Sequence, residues 1–150
     1  EFSLMTAHIA LQHHERVDGT GFPRKIDIDN IHPYARIVAV ANTFDNLIST
    51  GHDGTPLMPH EASEHLMAMS GTALDRDFVI EFLKIVSIYP TGTTVQLSTK
   101  ETGVIVGQHR GLPGRPIVRV VDVDAGGQHM EVKEIDLAKH PTIFIERVLR

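Results

Sequence analysis

The sequence contains no cysteine and no tryptophan, and aromatic residues occupy only 5% of its 150 positions. The lack of cysteine excludes disulfide bonds and thiolate metal sites, so a bound metal would need imidazole and carboxylate ligands. It also fits a protein of the reducing cytoplasm. No apolar run approaches the 18 residues of a membrane span. The first residues lack the basic, apolar and small-residue layout of a secretory signal.

Positive charge is also scarce. The chain carries 14 Lys and Arg against 19 Asp and Glu, for a net charge of −5. This balance disfavours a nucleic-acid polymer or an anionic membrane surface as the partner, because long-range attraction to either needs the opposite sign. Ten histidines are many for this length, although most of them are expected to lie at the surface without a role.

Helical patterns dominate the first half of the chain. Residues 2–14 are apolar on more than one face, which predicts a buried helix that needs neighbours on several sides. A chain that opens into such a helix without a capping residue is typical of a piece of a longer protein, and its apolar surface favours self-association, with a homodimer as the simplest assembly. Further helices are predicted from His32-Pro33, from Pro59 and over Asp75–Ser87.

The three later helices have apolar faces that define the expected core. The second helix is predicted to bury Ile37, Val40, Ala41, Phe44, Leu47 and Ile48, and the third to point Ala62, His65, Leu66 and Met69 inward. The fourth is predicted to be capped by Asp75 and to bury Phe78, Val79, Phe82, Ile85 and Val86.

The spacing of the apolar residues changes after Tyr89-Pro90, from a helical to a strand pattern. Short β-branched runs at Thr94–Leu97, Gly103–Val106, Ile117–Val123 and Met130–Ile135 are separated by turn signals, including one at residues 125–127. This pattern predicts an antiparallel meander. We therefore expect a mainly α protein, with a helical bundle over residues 1–90 and a small antiparallel β extension over residues 91–150.

The densest patch of chemistry is His13-His14-Glu15, followed by Asp18-Gly19-Thr20-Gly21-Phe22-Pro23. Paired imidazoles at a helix end suit transition metals, but adjacent residues of a regular helix point about 100° apart. The two histidines could therefore serve two metals, or one could bind while the other supports it. Alternatively, they could simply meet the helix dipole. The glycine-rich segment predicts a tight loop that is either a connection or a platform for a ligand.

These motifs resemble the second signature of the HD-GYP phosphohydrolases, with Phe22 where tyrosine is usual. The resemblance continues through Ala35-Arg36-Ile37-Val38-Ala39-Val40-Ala41-Asn42-Thr43-Phe44-Asp45. It extends to Ile88-Tyr89-Pro90-Thr91-Gly92-Thr93 and to Glu101-Thr102-Gly103-Val104, and so covers most of residues 7–106. It implies that the bundle is the C-terminal part of an HD-type domain and that the chain is part of a bacterial cyclic di-GMP phosphodiesterase of second-messenger signalling.

The resemblance also implies a cofactor, partners and residue roles. The family uses two or three iron or manganese ions, for which His13, His14 and, at the usual aspartate position, Asn42 are the matching ligand positions. Glu15, Asp18, Gly19, Gly21, Phe22, Pro23 and Asp45 match the substrate loop and the residues that support the ligands. Cyclic di-GMP is the implied ligand, and diguanylate cyclase domains are candidate signalling partners.

Three departures from the family leave a second function open. The histidine-aspartate doublet that precedes this motif in the family is absent from this chain, and Asn42 is a neutral amide where a carboxylate is usual. Residues 50–54 replace an arginine-containing segment, and neither His52 nor Asp53 reproduces a guanidinium. We therefore do not expect turnover by this chain alone. The alternative is a degenerate, non-catalytic module that binds nucleotide or partner proteins.

Overall fold

The computed structural model describes residues 3–123 and 130–150. The described elements are α1 (Leu4–Gln12), α2 (Pro33–Ser49), α3 (Pro59–Met69), α4 (Arg76–Ile85), β1 (Thr94–Leu97), β2 (Thr102–Gly107), β3 (Ile117–Val123), β4 (Met130–Asp136) and β5 (Ile145–Leu149). The chain divides into two compact units, Glu1–Leu83 and Lys84–Arg150, called below the helical unit and the sheet unit. Phe2 of the predicted first helix and the predicted turn at residues 125–127 lie outside the described residues.

The prediction of a mainly α protein is wrong, because the sheet is larger than the four expected strands. All its neighbouring strands pair antiparallel, in the order β4-β3-β2-β1-β5. The predicted meander is present, but β5 returns to the far side of β1, where Val148 pairs with Val95. The local pattern of Ile145–Leu149 did not reveal this strand because its partner lies far away in the sequence. The molecule is therefore a mixed α and β protein.

Alternation along the strands builds the core of the sheet unit. In β1 and in the first four residues of β2 every second residue is buried, as expected for a sheet with one covered face. The buried cluster consists of Val95, Leu97, Ile105, Val118, Val120, Ile135 and Leu137, with Tyr89, Ile143, Ile145 and Val148 packed against it.

The helical unit has its own apolar core between α2, α3 and α4. Its buried members are Ala39, Val40, Leu66, Ala73, Leu74 and Val79, and Phe44 meets Phe82 edge to face with ring centroids 5.3 Å apart. No helix in the described part of the chain is both long and apolar enough to cross a membrane.

Helix α2 begins where the sequence predicts, at Pro33. The His32 side chain caps it by accepting a hydrogen bond from the Tyr34 N–H. Its buried face, however, contains Ala35, Ala39, Val40 and Leu47, whereas Ile37 and Ala41 of the predicted stripe are exposed. The buried face is rotated relative to the predicted one. Ala35 and Ala39, one helical turn apart, point towards the core of the unit.

Helix α1 is not the buried helix that its apolar residues predict. Gln12 is its only buried residue, and Leu4 is 79% exposed. The described contacts of α1 with other helices are to α2, and one neighbour cannot cover several faces. The predicted lack of a cap is also wrong, because the Ser3 hydroxyl accepts a hydrogen bond from the Met5 N–H.

Asp75 joins the start of α4 to α2. One carboxylate oxygen accepts hydrogen bonds from the N–H groups of Asp77 and Phe78, at 3.0 and 3.3 Å, and so caps the helix as predicted. The other oxygen forms an ion pair with Arg36 at 2.7 Å. The buried Asp75 carboxylate therefore caps α4 and also links it to α2.

The apolar face of α4 is only partly as predicted. Val79 is buried, but Ile85 at the end of the same helix is 76% exposed.

Substitutions of Asp75 separate its two roles. Asp75→Ala removes cap and charge, and we expect the free energy of unfolding to fall by about 3 kcal/mol. Asp75→Asn keeps an oxygen acceptor for the cap, so the loss is smaller by about 1 kcal/mol. Urea unfolding followed by circular dichroism measures both, with the exposed Asp77→Asn as control. Equal losses in the two Asp75 variants would contradict the cap.

In the sheet unit, Glu101 after β1 pairs with Lys133 of β4. The hydrogen bond from Lys133, and a second one from the Thr99 hydroxyl at 2.7 Å, hold the pKa of Glu101 below its ordinary value. The same contact raises the pKa of Lys133. The pair joins the edge strand to the turn between β1 and β2.

This pair predicts a specific loss of stability in acid. Because the folded pKa of Glu101 lies below its value of 4.5 in the unfolded chain, its contribution is complete above that pH and disappears as the pH falls through the folded pKa. Wild type and Glu101→Gln should therefore differ in free energy of unfolding at pH 7 and converge near pH 3. Lys133→Met should show the same convergence. A difference that persists unchanged at pH 3 would contradict the pairing.

Candidate functional site

A cavity of about 530 Å³ opens in the helical unit beside the end of α1. This volume lies in the range of organic ligand sites. Its wall consists of His13, His14, Glu15, Arg16, Phe22, Ala39, Asn42, Thr43, Asn46, Leu47, Gly51, His52, His65, Met69, Ala73 and Leu74. Five predicted site residues are among them, whereas Asp18, Gly19, Gly21, Pro23 and Asp45 do not line the cavity.

His13 and His14 stand at the point where the chain leaves α1. The helix ends at Gln12, so the separation of about 100° in a regular helix does not apply, and the two rings approach to 4.0 Å between centroids. His13 Nδ1 lies 2.9 Å from the Ala10 carbonyl and 3.3 Å from that of Ile9. A carbonyl can only accept, so Nδ1 carries the proton and Nε2 of the neutral ring keeps its lone pair for a ligand.

The His14 ring contacts two other rings. Phe22 stacks on it at 4.8 Å with an interplanar angle of 16°, and the His13 ring centroid lies 4.0 Å away. Partial burial, and then the proximity of His13, lower the pKa of His14 below its ordinary value. The neutral imidazole is the form that binds metals.

Glu15 holds the loop that carries Phe22. The residue is 4% exposed, and its two carboxylate oxygens accept hydrogen bonds from the N–H groups of Arg24 at 2.6 Å and Ile26 at 3.2 Å. The Phe22 N–H in turn donates to the His14 carbonyl. Charged hydrogen bonds of this kind are about twice as strong as neutral ones. The buried Glu15 carboxylate therefore holds the end of the loop against its beginning.

The other loop residues shape the backbone. Asp18 accepts hydrogen bonds from the Thr20 N–H and hydroxyl, which lower the pKa of Asp18. Gly19 has φ +79°, a conformation that favours glycine. A Cβ on Gly21 would collide with the Arg16 nitrogen and lie 2.6 Å from the Glu15 Cα. The two glycines of the motif are thus required by two different constraints.

Asn42 and Asp45, three residues apart on α2, differ in exposure. Asn42 is half-buried and lines the cavity, while Asp45 is exposed and outside the cavity wall. In residues 3–123 and 130–150, no three His, Cys, Asp or Glu side chains come together in a way that could hold a metal ion. The described donors therefore do not amount to a metal centre by themselves.

Several wall residues were not predicted as site residues. His65 was predicted to point inward from the third helix, but it is exposed on the cavity wall. His52 and Arg16 also line it, with Thr43 and Asn46. Arg16 directly follows the His-His-Glu motif, which was the available signal. His52 and His65 reach the wall only through the packing of α2 and α3.

Removing the Glu15 carboxylate should release the loop. In Glu15→Ala the Arg24 and Ile26 N–H groups lose their acceptor, and we expect the free energy of unfolding to fall by about 1–3 kcal/mol. Glu15→Gln keeps one acceptor and should lose less. Urea unfolding and limited proteolysis of residues 16–26 measure the two effects, with Glu64→Ala on the exposed side of α3 as control. Equal protease resistance in Glu15→Ala and wild type would contradict this role.

Two family models match the chain. One is described as an HD domain and matches residues 1–78. The other is described as a KOW domain associated with HD domain and matches residues 94–150. The two matched ranges do not overlap, and each falls largely within one of the two compact units.

Curated relatives are similar over shorter stretches. A cyclic di-GMP phosphodiesterase of Pseudomonas aeruginosa is 32% identical over 109 residues, which is 73% of this chain and 26% of the relative. A cyclic di-GMP phosphodiesterase of Thermotoga maritima is 39% identical over 79 residues, or 53% of this chain and 22% of the relative. A cyclic di-GMP phosphodiesterase response regulator of Xanthomonas campestris pv. campestris is 40% identical over 74 residues, or 49% and 20%.

The chain thus spans about a quarter or less of the length of these relatives. The HD domain model, in contrast, covers more than half of the chain itself and includes the His-His-Glu motif, the glycine loop and α2. The resemblance to an HD-type phosphohydrolase is confirmed by this match, and the chain belongs to the HD domain family.

Proposed function

We propose that this chain is part of a bacterial cyclic di-GMP phosphodiesterase of the HD-GYP type. The observation that carries the proposal is the arrangement of His13, His14 and Phe22 on the wall of one cavity, in a chain similar to three cyclic di-GMP phosphodiesterases. Cyclic di-GMP is the ligand, and signal transduction is the setting. The chain occupies residues equivalent to a small part of each relative, so turnover belongs to a longer protein.

Iron or manganese, two or three ions in the family, is the proposed cofactor. When bound, such ions lower the pKa of water and stabilise charge on phosphoryl oxygens. His13 and His14 suit this role. The Nδ1 of His13 is bound to main-chain carbonyls, which leaves Nε2 for a ligand, and partial burial holds the pKa of His14 below its ordinary value. Asn42 brings no charge to offset a cation, and the described residues contain no three-ligand group. These residues are therefore a partial ligand set.

The loop residues are proposed to bind and orient the nucleotide. Phe22 is 60% exposed, and its ring is braced by stacking on His14. A braced, exposed ring is suited to stacking on a nucleobase. Glu15 and Asp18 hold the loop, Gly19 and Gly21 permit its path, and Pro23 follows Phe22 through a cis peptide bond. Asp45 lies outside the cavity and would act only through a rearrangement.

A non-catalytic module that binds nucleotide or a partner protein is the second candidate. Asn42 favours it, as does the absence of a three-ligand group among residues 3–123 and 130–150. The two candidates share the same cavity and differ in metal binding and turnover.

The remaining proposals concern organisation and partners. We propose residues 1–90 as the C-terminal part of the HD-GYP helical domain and residues 91–150 as a β-rich extension. Diguanylate cyclase domains are proposed as signalling partners, a homodimer as the assembly and the cytoplasm as the location. The exposed apolar residues of α1 support association.

Metal and ligand binding test the proposal together. The 150-residue chain should bind cyclic di-GMP in calorimetry and retain less than one manganese ion per chain. Asn42→Asp supplies a carboxylate at the cavity and should raise manganese affinity roughly tenfold, whereas Ser49→Asp, exposed on the same helix and off the cavity wall, should not.

Three outcomes discriminate between the candidates. Failure of the chain to bind cyclic di-GMP, with or without manganese, contradicts the proposed ligand and leaves only a module that binds a partner protein. If the chain binds cyclic di-GMP, but a longer protein that contains it does not hydrolyse cyclic di-GMP, the non-catalytic module is supported. Binding of two manganese ions by the chain alone contradicts the partial ligand set.

A further inference from the structure

The cavity is less acidic than the unit that contains it. Residues 1–83 carry 5 basic and 12 acidic side chains, a net charge of −7. The cavity wall, in contrast, contains one arginine, four histidines and a single acid. That acid is Glu15, which is buried and bound through both oxygens to the loop N–H groups. The wall therefore presents one guanidinium and four imidazoles without an opposing free carboxylate.

Three of these groups have no competing partner. The side chains of Arg16, His52 and His65 form no hydrogen bond or ion pair within the described residues. Asp18 is close enough to Arg16 to sense its charge, but the carboxylate of Asp18 is hydrogen-bonded to Thr20. His13, in contrast, uses its Nδ1 on the main chain, and His14 is stacked on Phe22. The three unpartnered groups remain available to a ligand.

These groups come from three separate elements. Arg16 follows α1, His52 lies in the loop after α2, and His65 is on α3. Arginine offers a planar fork that matches phosphate oxygens, and imidazole donates an N–H in both its neutral and its charged form. A phosphate group in the cavity would thus meet donors from several directions.

We propose that Arg16, His52 and His65 hold a phosphate group of the nucleotide in this cavity, and that they do so without a metal ion. The inference rests on the proposed function for the identity of the ligand but not for the anion site itself. It assigns binding to residues outside the His-His-Glu motif. On this proposal the nucleotide binds even though the metal ligand set is incomplete.

Calorimetric titrations of the 150-residue chain in EDTA provide the test, with cyclic di-GMP and inorganic pyrophosphate as the two probes. Both should bind without metal. Arg16→Met should raise the Kd of both probes roughly tenfold, the factor expected for one charge-assisted hydrogen bond. His52→Ala and His65→Ala should each raise it roughly threefold or more. His8→Ala and Arg76→Met, exposed and off the cavity, are the controls and should leave both Kd values unchanged.

Thermal melts establish that each variant is folded before its Kd is compared. Cyclic di-GMP binding that is unaffected by all three substitutions overturns the inference and leaves the proposed function standing. Pyrophosphate binding that needs the three residues, with no cyclic di-GMP binding, supports the anion site and contradicts the proposed ligand. If neither probe binds, with or without manganese, both the inference and the proposed ligand are overturned. Binding that appears only when manganese is added overturns the inference and leaves the proposed function standing.

Discussion

The site depends on one buried carboxylate. Glu15 is 4% exposed, follows the two histidines directly, and spans the loop to reach the N–H groups of Arg24 and Ile26. A buried charge is costly unless hydrogen bonds compensate for it, so this carboxylate and its two donors require each other. Because the loop is closed in this way, the Phe22 ring is returned to His14, on which it stacks. The motif therefore fixes the position of the Phe22 ring through a main-chain constraint.

The end of α1 determines how His13 and His14 are placed. The chain leaves α1 after Gln12, which allows the rings of His13 and His14 to approach each other, and the carbonyls of Ile9 and Ala10 fix the proton of His13 on Nδ1. The Nε2 of His13 is thus left for a ligand. The side chains of the other cavity histidines, His52 and His65, form no hydrogen bond within the described residues.

Local signals in the sequence were sufficient where neighbours in the chain decide the structure. His32-Pro33 and Asp75 start their helices as predicted, and the first four strands lie where alternation indicates them. Features that depend on contacts between residues distant in the sequence were not predicted. Strand β5 depends on β1, which lies far away in the sequence, and the fold class was wrong partly because this strand was missed. His52 and His65 join the cavity through helix packing, which no local pattern encodes. The His-His-Glu and glycine motif was recognisable because its residues are adjacent in the chain.

Amide hydrogen exchange across the loop tests the central role of Glu15 most directly. The N–H groups of Arg24 and Ile26 are bound to the carboxylate, whereas the N–H of Lys25 between them has no partner among the described residues. Exchange measured by NMR should therefore be slow at Arg24, fast at Lys25 and slow at Ile26. Equally fast exchange at all three positions would contradict the account, because the loop would then not be held by Glu15.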